Sequence, residues 1–257
     1  MTAQGSFIWY ELLTSDVDAA VTFYGKVIGW QLKAHAFVPG YHLFASKDAD
    51  IGGMMAMATD AGITRPVWLG YIAVGDVDAT VAAAVKDGAT VCVPPTSIPG
   101  VGRFSMIRDP QGVATYVMRG EVEGGVSRSF APLVGHCQWN ELVTIDPAAA
   151  VSFYTRLVGW QKGDVMPMGP LGDYQFLTSG TDRIGAIMKR SREDSPPIWR
   201  FYFGVDDIDR AAKAITDGGG RLLADLQPVP GGGFAAVAVD PQGAEFGVAG
   251  PRKAQRP

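Results

Sequence analysis

The sequence predicts an α+β protein built as a tandem pair of similar domains. Three observations carry that reading. The stretch from Trp9 to Trp30 (WYELLTSDVDAAVTFYGKVIGW) returns 130 positions later as Trp139 to Trp160 (WNELVTIDPAAAVSFYTRLVGW). The turn Asp109-Pro-Gln-Gly112 returns as Asp240-Pro-Gln-Gly243, so the copies stay in near-register to their ends. Within each copy, a strand, a helix and three strands follow one another twice, giving two β-α-β-β-β modules. Each copy is therefore a folding unit of roughly 120 residues, an ordinary domain size. The expected boundaries are domain 1 at 1–119, a linker at 120–134, domain 2 at 135–251 and a tail at 252–257.

The first module opens with an aromatic and aliphatic strand, Phe7 to Leu13. Asp16 then caps a helix whose apolar positions, Val17, Ala20, Val21, Tyr24 and Val27/Ile28, follow helical spacing until Gly29 stops it. The second copy writes the same helix with Asp146 as cap and Pro147 at the first helical position, where the missing N–H loses nothing. Three short strands are expected at Gln31 to Phe37, Tyr41 to Ser46 and Ile51 to Met57. After Arg65-Pro66 the pattern restarts with a strand at Trp68 to Val74 and a helix from Asp76 to Asp87 closed by Gly88. Strands near Thr90 to Val93, Phe104 to Arg108 and Ala114 to Met118 follow. The counterparts in the second copy are a strand at Ile198 to Val205 and a helix from Asp207 to Asp217. Arg119 to Pro132 has the Gly, Ser and charge content of a surface linker.

Composition narrows the class of function. The chain has 257 residues, 47% hydrophobic and 19% charged, with a net charge of −4, and its apolar runs are too short to span a bilayer. With no long Lys/Arg cluster, neither nucleic acid nor a membrane surface is an expected partner. The first residues have no basic region followed by an apolar core, so no signal peptide is read. Cys92 and Cys137 fall at non-equivalent places in the copies, and the absence of a duplicated disulfide framework points to a reducing, cytoplasmic location. The Gly-rich runs Pro99-Gly-Val-Gly102 and Pro230-Gly-Gly-Gly233 do not open helices and read as turns or rims.

The pattern Asp-x-x-x-Ala-x-x-Phe-Tyr-x-x-x-x-Gly-Trp after a first strand, with a late Asp-Pro-x-Gly turn, resembles the glyoxalase/bleomycin-resistance/extradiol-dioxygenase family, also called vicinal oxygen chelate. The resemblance runs through nearly the whole chain, twice. It implies a tandem pair of glyoxalase-like domains, each with two modules forming a cupped eight-stranded mixed sheet whose concave face holds a metal, a ligand or both. Metal-using relatives carry a His on the first strand, and here Trp9 and Trp139 stand in its place. A Glu expected after the Asp-Pro-x-Gly turn is replaced by Tyr116 and Gly247, and the position on the second module's first strand holds Leu69 and Arg200. The resemblance thus implies a cup without the family's metal centre, and no cofactor is expected. His35, His42 and His136 are the only histidines, and none recurs. His35 and His42 could face one another across neighbouring strands as a metal pair or stand as surface histidines. His136 reads as structural.

If the replaced His position faces the cup, period-two alternation places Trp9, Glu11 and Leu13 there in the first copy and Trp139, Glu141 and Val143 in the second. An ionised carboxylate on an apolar face must be satisfied by something. Glu11 and Glu141 are therefore candidate catalytic bases or ligand acceptors, or else structural partners of an Arg or backbone N–H. The same alternation brings Tyr71 toward the cup in the first copy and Arg200 and Tyr202 in the second, with Arg200 a candidate counter-charge for Glu141 or an anionic ligand. Tyr116 adds an aromatic wall. Tyr41 and Tyr174 recur and could line either face, whereas Trp68 and Trp199 point into the helix-packed layer. The candidate ligand-binding set is Trp9, Tyr71, Tyr116, Trp139, Arg200 and Tyr202.

Three functions fit. One is a metal-free protein binding a small, largely apolar or aromatic molecule. Another is a metal-independent lyase, isomerase or hydroxylase/oxygenase using Glu11 or Glu141 as general base in natural-product or aldehyde metabolism, and the third is a mainly structural protein. The expected partner is a small molecule, and the expected state is a monomer with pseudo-dimeric domains or a homodimer.

Overall fold

The computed structural model describes residues 4–34, 38–47, 49–57, 62–121 and 127–253. The first repeat contains β1 (Phe7–Thr14), α1 (Val17–Val27), β2 (Gln31–Ala34), β3 (His42–Ala45) and β4 (Asp50–Ala56). Its second module holds β5 (Val67–Ala73), α2 (Val77–Lys86), β6 (Thr90–Ile98), β7 (Gly102–Arg108) and β8 (Ala114–Gly120). The second repeat has β9 (Cys137–Thr144), α3 (Pro147–Val158), β10 (Gln161–Pro167), β11 (Asp173–Ser179) and β12 (Asp182–Lys189), with a short 3-10 turn at Gly169–Leu171. It ends with β13 (Ile198–Gly204), α4 (Ile208–Asp217), β14 (Arg221–Leu222), β15 (Gln227–Val229), β16 (Gly233–Val239) and β17 (Glu245–Gly250). The expected α+β class holds, and among the described residues the first repeat forms a large mixed sheet of eight strands and the second one of nine. No helix among the described residues is long and apolar enough to cross a membrane.

Among the described residues, the four α-helices begin as expected. Asp16, Asp76, Asp146 and Asp207 are extended N-cap residues whose side chains accept from backbone N–H groups of the first turn, each worth about 1 kcal/mol. Pro147 occupies the first turn of α3, and Gly159 ends that helix in the left-handed conformation, φ 80°. Strand β6 is longer than expected because it runs on through Pro94 and Pro95. It is a terminal strand with register shifts around that segment, where missing N–H groups break no ladder. The Gly-rich run at 99–102 is the β6–β7 turn and that at 230–233 leads from β15 into β16, as expected. The end of the segment read as linker pairs with β9: Cys137 N–H donates to Ser129 O, and Ser129 is buried.

By packing, the chain divides into two compact units that do not follow the repeats. One comprises Met1–Ile8, Leu69–Ser127 and Asn140–Trp199; the other comprises Trp9–Trp68, Arg128–Trp139 and Arg200–Pro257. Each unit takes one module from each repeat, which the sequence left open.

In the unit containing α1, Trp68 Nε1 donates to Tyr24 Oη at 2.9 Å and Tyr24 donates to Asp240 Oδ2 at 3.0 Å. Asp240 Oδ1 accepts from the backbone N–H groups of Gln242, Gly243 and Ala244. Around this relay Trp30, Phe44, Phe203 and Phe246 pack by edges and faces, and Trp30 Nε1 donates to Gly135 O. The unit containing α3 repeats the arrangement. Trp199 donates to Tyr154 at 3.2 Å, Tyr154 donates to Asp109 at 3.3 Å, and Trp160 donates to Gly5 O. Here the turn also clasps the helix start, since Gln111 Nε2 donates to Asp146 O while Asp146 N–H donates to Gln111 Oε1. The aspartates of the two Asp-Pro-Gln-Gly turns, read from sequence only as turn residues, are thus the buried anchors of the first helices.

Burial pushes the Asp109 and Asp240 carboxyls up, with backbone N–H groups and the tyrosine hydroxyls pulling partly back. Burial, then the neighbouring aspartate, holds Tyr24 and Tyr154 well above the ordinary phenol range, so both stay neutral donors. Replacing Tyr24 by Phe strands the Trp68 indole and one Asp240 oxygen, and is expected to cost about 2 kcal/mol in urea unfolding. A carboxyl raised by folding stabilises below its unfolded pKa and loses that contribution as pH rises through its folded pKa. The stability of wild type relative to Asp240→Asn should therefore grow as pH falls from above the raised Asp240 value toward the ordinary carboxylate range, as read from urea midpoints across that window.

Candidate functional site

Strand β1 alternates as expected. Tyr10 and Leu12 are fully buried, and Tyr10 meets Phe201 and Phe203 edge-on, which leaves Trp9, Glu11 and Leu13 on the opposite face. Glu11 is only 2% exposed. Trp9 is half-buried and its indole donates to Tyr41 Oη at 2.8 Å. Glu11 pairs in register with Gly53 on the parallel strand β4. A Cβ at Gly53 would run into the Tyr41 ring, so that ring lies against the strand beside Glu11.

The equivalent place in the second repeat holds Glu141 on β9. Glu141, also buried, accepts from Tyr174 Oη at 2.7 Å. Its register partner on β12 is Ala186, where the first repeat has Gly53. Tyr174 meets Phe176 edge-on at 5.4 Å, and the Arg183 guanidinium lies over the Phe176 ring at 4.3 Å. Trp139 is half-buried on β9. Tyr41 and Tyr174, whose facing the sequence left open, both stand with the candidate glutamates. Their recurrence was the signal.

Tyr71 and Tyr116 are register partners on the parallel strands β5 and β8, with rings stacked 4.1 Å apart at 12°. Phe104 completes the group at 5.8 Å from Tyr116. In the second repeat Tyr202 pairs with Gly247, and a Cβ at Gly247 would collide with its ring. One step along the same face, Arg200 Nε donates to Glu245 at 2.8 Å, a partly buried ion pair that the sequence reading missed. Trp68 and Trp199 lie in the core as expected.

The donors at the family's ligand positions do not fit a divalent centre. Trp9 and Trp139 offer only N–H, Leu69 offers nothing, and Arg200 is a cation held by Glu245. Tyr116 is stacked on Tyr71, and the space a side chain at Gly247 would fill is taken by Tyr202. Among the described residues no three His, Cys, Asp or Glu side chains converge. His35 lies outside the described residues. His136 is buried, with Nδ1 on Arg128 O and Nε2 at 3.1 Å from Ser46 Oγ, as a structural histidine would be. Cys137 is buried, which pushes its thiol up to about 12, and it is inert at neutral pH. A depression of about 390 Å³ lined by Ile145, Leu171, Lys189 and Arg190 among others includes none of the candidate residues.

The family model described as Glyoxalase/Bleomycin resistance protein/Dioxygenase superfamily matches residues 6–116 and again 133–248. CFP32 of Mycobacterium tuberculosis, a candidate glyoxylase by name, is 34% identical across 98% of this chain and 97% of its own length. The anthracycline biosynthesis protein DnrV of Streptomyces peucetius is 29% identical across 96% and 93%. Among solved structures, the Mn(II)-bound glyoxalase of Novosphingobium aromaticivorans superposes with TM-score 0.67 at 18% identity, covering 98% of this chain and 84% of that one. The 2,3-dioxygenase LapB of Pseudomonas sp. KL28 gives 0.65 at 14%, covering 100% and 96%.

Gly247→Ala should force the Tyr202 ring off the neighbouring strand β17 and cost roughly 1–3 kcal/mol by overpacking, measured as a lowered urea midpoint. The exposed Gly231→Ala has open space around it but a left-handed φ of 99°, so its smaller loss should come from backbone strain alone.

Proposed function

Because this chain belongs to the glyoxalase/bleomycin resistance protein/dioxygenase superfamily yet carries an unsuitable donor set at the family's ligand positions, we propose that it binds a small, largely apolar or aromatic molecule without the metal centre. The observation that carries this reading is the Tyr71–Tyr116 stack, which puts an aromatic ring, backed by a second, where metal-using relatives keep a carboxylate ligand. Such rings contribute large apolar area and favour offset stacking with a planar guest. Glu11 and Glu141 supply hydrogen-bond acceptors for a donor group on that molecule. The naming of a relative for anthracycline biosynthesis is in keeping, since anthracyclines are flat polycyclic aromatics. In this reading the protein works in the cytoplasm and partners neither nucleic acid nor membrane.

The second reading is catalytic, and the Tyr174–Glu141 contact favours it. A buried carboxylate hydrogen-bonded to a hydroxyl can act as general base, in a metal-independent lyase, isomerase or oxygenase step. The glyoxylase naming of the mycobacterial relatives points the same way.

Native mass spectrometry of the full chain purified from its own host should reveal a bound small organic molecule, and elemental analysis should find no stoichiometric divalent ion. A stoichiometric ion whose removal abolishes binding would overturn the metal-free reading. Tyr116→Ala should weaken binding of the recovered molecule by roughly threefold to tenfold, the range of one aromatic stacking contact. Glu11→Gln and Glu141→Gln, singly and together, separate the readings. Binding retained while turnover of the molecule is lost identifies the catalyst, and binding with no turnover in wild type identifies the binder.

A further inference from the structure

The ends of β9 and β12 lie side by side, with Thr144 pairing in register with Lys189. The ladder runs one step further through the Arg190 N–H, which donates to Thr144 O at 2.9 Å. Beside them the β10–β11 hairpin turns through Pro170 and Leu171, closed by the Met168 N–H on Gly172 O at 2.8 Å. With Ile145, Ser191 and Glu193 these residues line the depression of about 390 Å³, within the ~300–1,000 Å³ range of small-molecule sites. All of them belong to one compact unit.

The first repeat shows that the fold does not require this lining. There Thr14 pairs with Ala56, and the next N–H, from Met57, donates to Thr14 O. The ladder closes in the same way without a cation at either position, and Ser15 stands where the second repeat has Ile145. Ile145 is left 46% exposed, apolar area that a ligand would cover with gain. Arg190 Nη1 donates to Ser195 O at 2.9 Å, which steadies the guanidinium. Neither Lys189 nor Arg190 forms an ion pair among the described residues, and the nearby Asp194 is engaged by Arg192 through both oxygens.

We propose that this depression is a binding site for a small organic monoanion, its carboxylate held by Lys189 and Arg190 and its apolar body laid against Ile145 and Leu171. The planar fork of Arg190 matches a carboxylate. Glu193 sets the charge limit: the lining carries two cations against one carboxylate, so a dianion such as a phosphate monoester meets repulsion that a monoanion does not. This site goes beyond the faces carrying Glu11 and Glu141, none of whose candidate residues lines it.

The test titrates the full chain, labelled with 15N, with sodium hexanoate and follows the assigned amide resonances of Leu171, Arg190 and Ser191. These should shift saturably. Acetate has the charge without the apolar body and hexan-1-ol the body without the charge, and each should bind about tenfold more weakly or less. Hexyl phosphate should also bind more weakly than hexanoate. Arg190→Ala should weaken hexanoate about tenfold, as the loss of a charge-assisted hydrogen bond does. Ile145→Ser installs the first repeat's residue, should weaken hexanoate roughly threefold, and decides the matter if Arg190→Ala does not fold. No saturable shift, or an unchanged hexanoate affinity in either folded variant, overturns the proposal. Acetate binding as tightly as hexanoate reduces the site to an adventitious ion only, and hexyl phosphate binding as tightly or more so overturns the monoanion assignment.

Discussion

The rest of the structure depends on a hydrogen-bonded relay built twice: an indole N–H, a tyrosine hydroxyl and an aspartate, all in the core. Tyr24 and Tyr154 are wholly buried, so their hydroxyls must be satisfied inside the protein. Each finds its acceptor in the turn of the other repeat, Asp240 for Tyr24 and Asp109 for Tyr154. A carboxylate in that setting is costly to bury, and the turn offsets the cost with backbone N–H groups aimed at its other oxygen. Turn, helix and tryptophan are thereby locked to one another within each compact unit.

This explains why the repeat signature has the form it has. The Phe-Tyr of the first helix, the Gly-Trp that follows and the Asp-Pro-Gln-Gly turn are partners in packing, not separate ornaments. Trp30 and Trp160 extend the same exchange, each donating to a glycine carbonyl just ahead of the other repeat's first strand. Each relay takes its indole and tyrosine from one repeat and its aspartate from the other, so a compact unit needs a module from both.

With that scaffold held constant, the faces carrying Glu11 and Glu141 have been free to diverge. Tyr116 against Gly247 changes a stacked pair into a single ring lying over the adjacent strand, and Leu69 against Arg200 adds a cation that is then balanced by Glu245. Gly53 against Ala186 adds a methyl beside the glutamate. Each is a difference of one side chain, and each alters what a bound molecule would meet while leaving the ladders intact. The family's ligand positions have been filled by bulk, cation or empty backbone.

Much of this was legible in the residues. Helix caps, the stops at Gly29 and Gly159, module order and the alternation that turns Glu11 away from Tyr10 all follow from local rules, because capping, left-handed glycine and strand pleat act over a few residues. The partner of each tyrosine was not legible, since Tyr24 and Asp240 lie 216 positions apart and both also have sound local explanations, as a helix core residue and a turn residue. Likewise Gly53 reads as one glycine among many until the Tyr41 ring is seen against it. By itself the sequence determined the family, the doubling and the residue types available at each glutamate. Only the tertiary structure decided which modules pack together and that the Tyr24 and Tyr154 hydroxyls meet the turn aspartates, because those choices are made by burial between residues far apart in the chain.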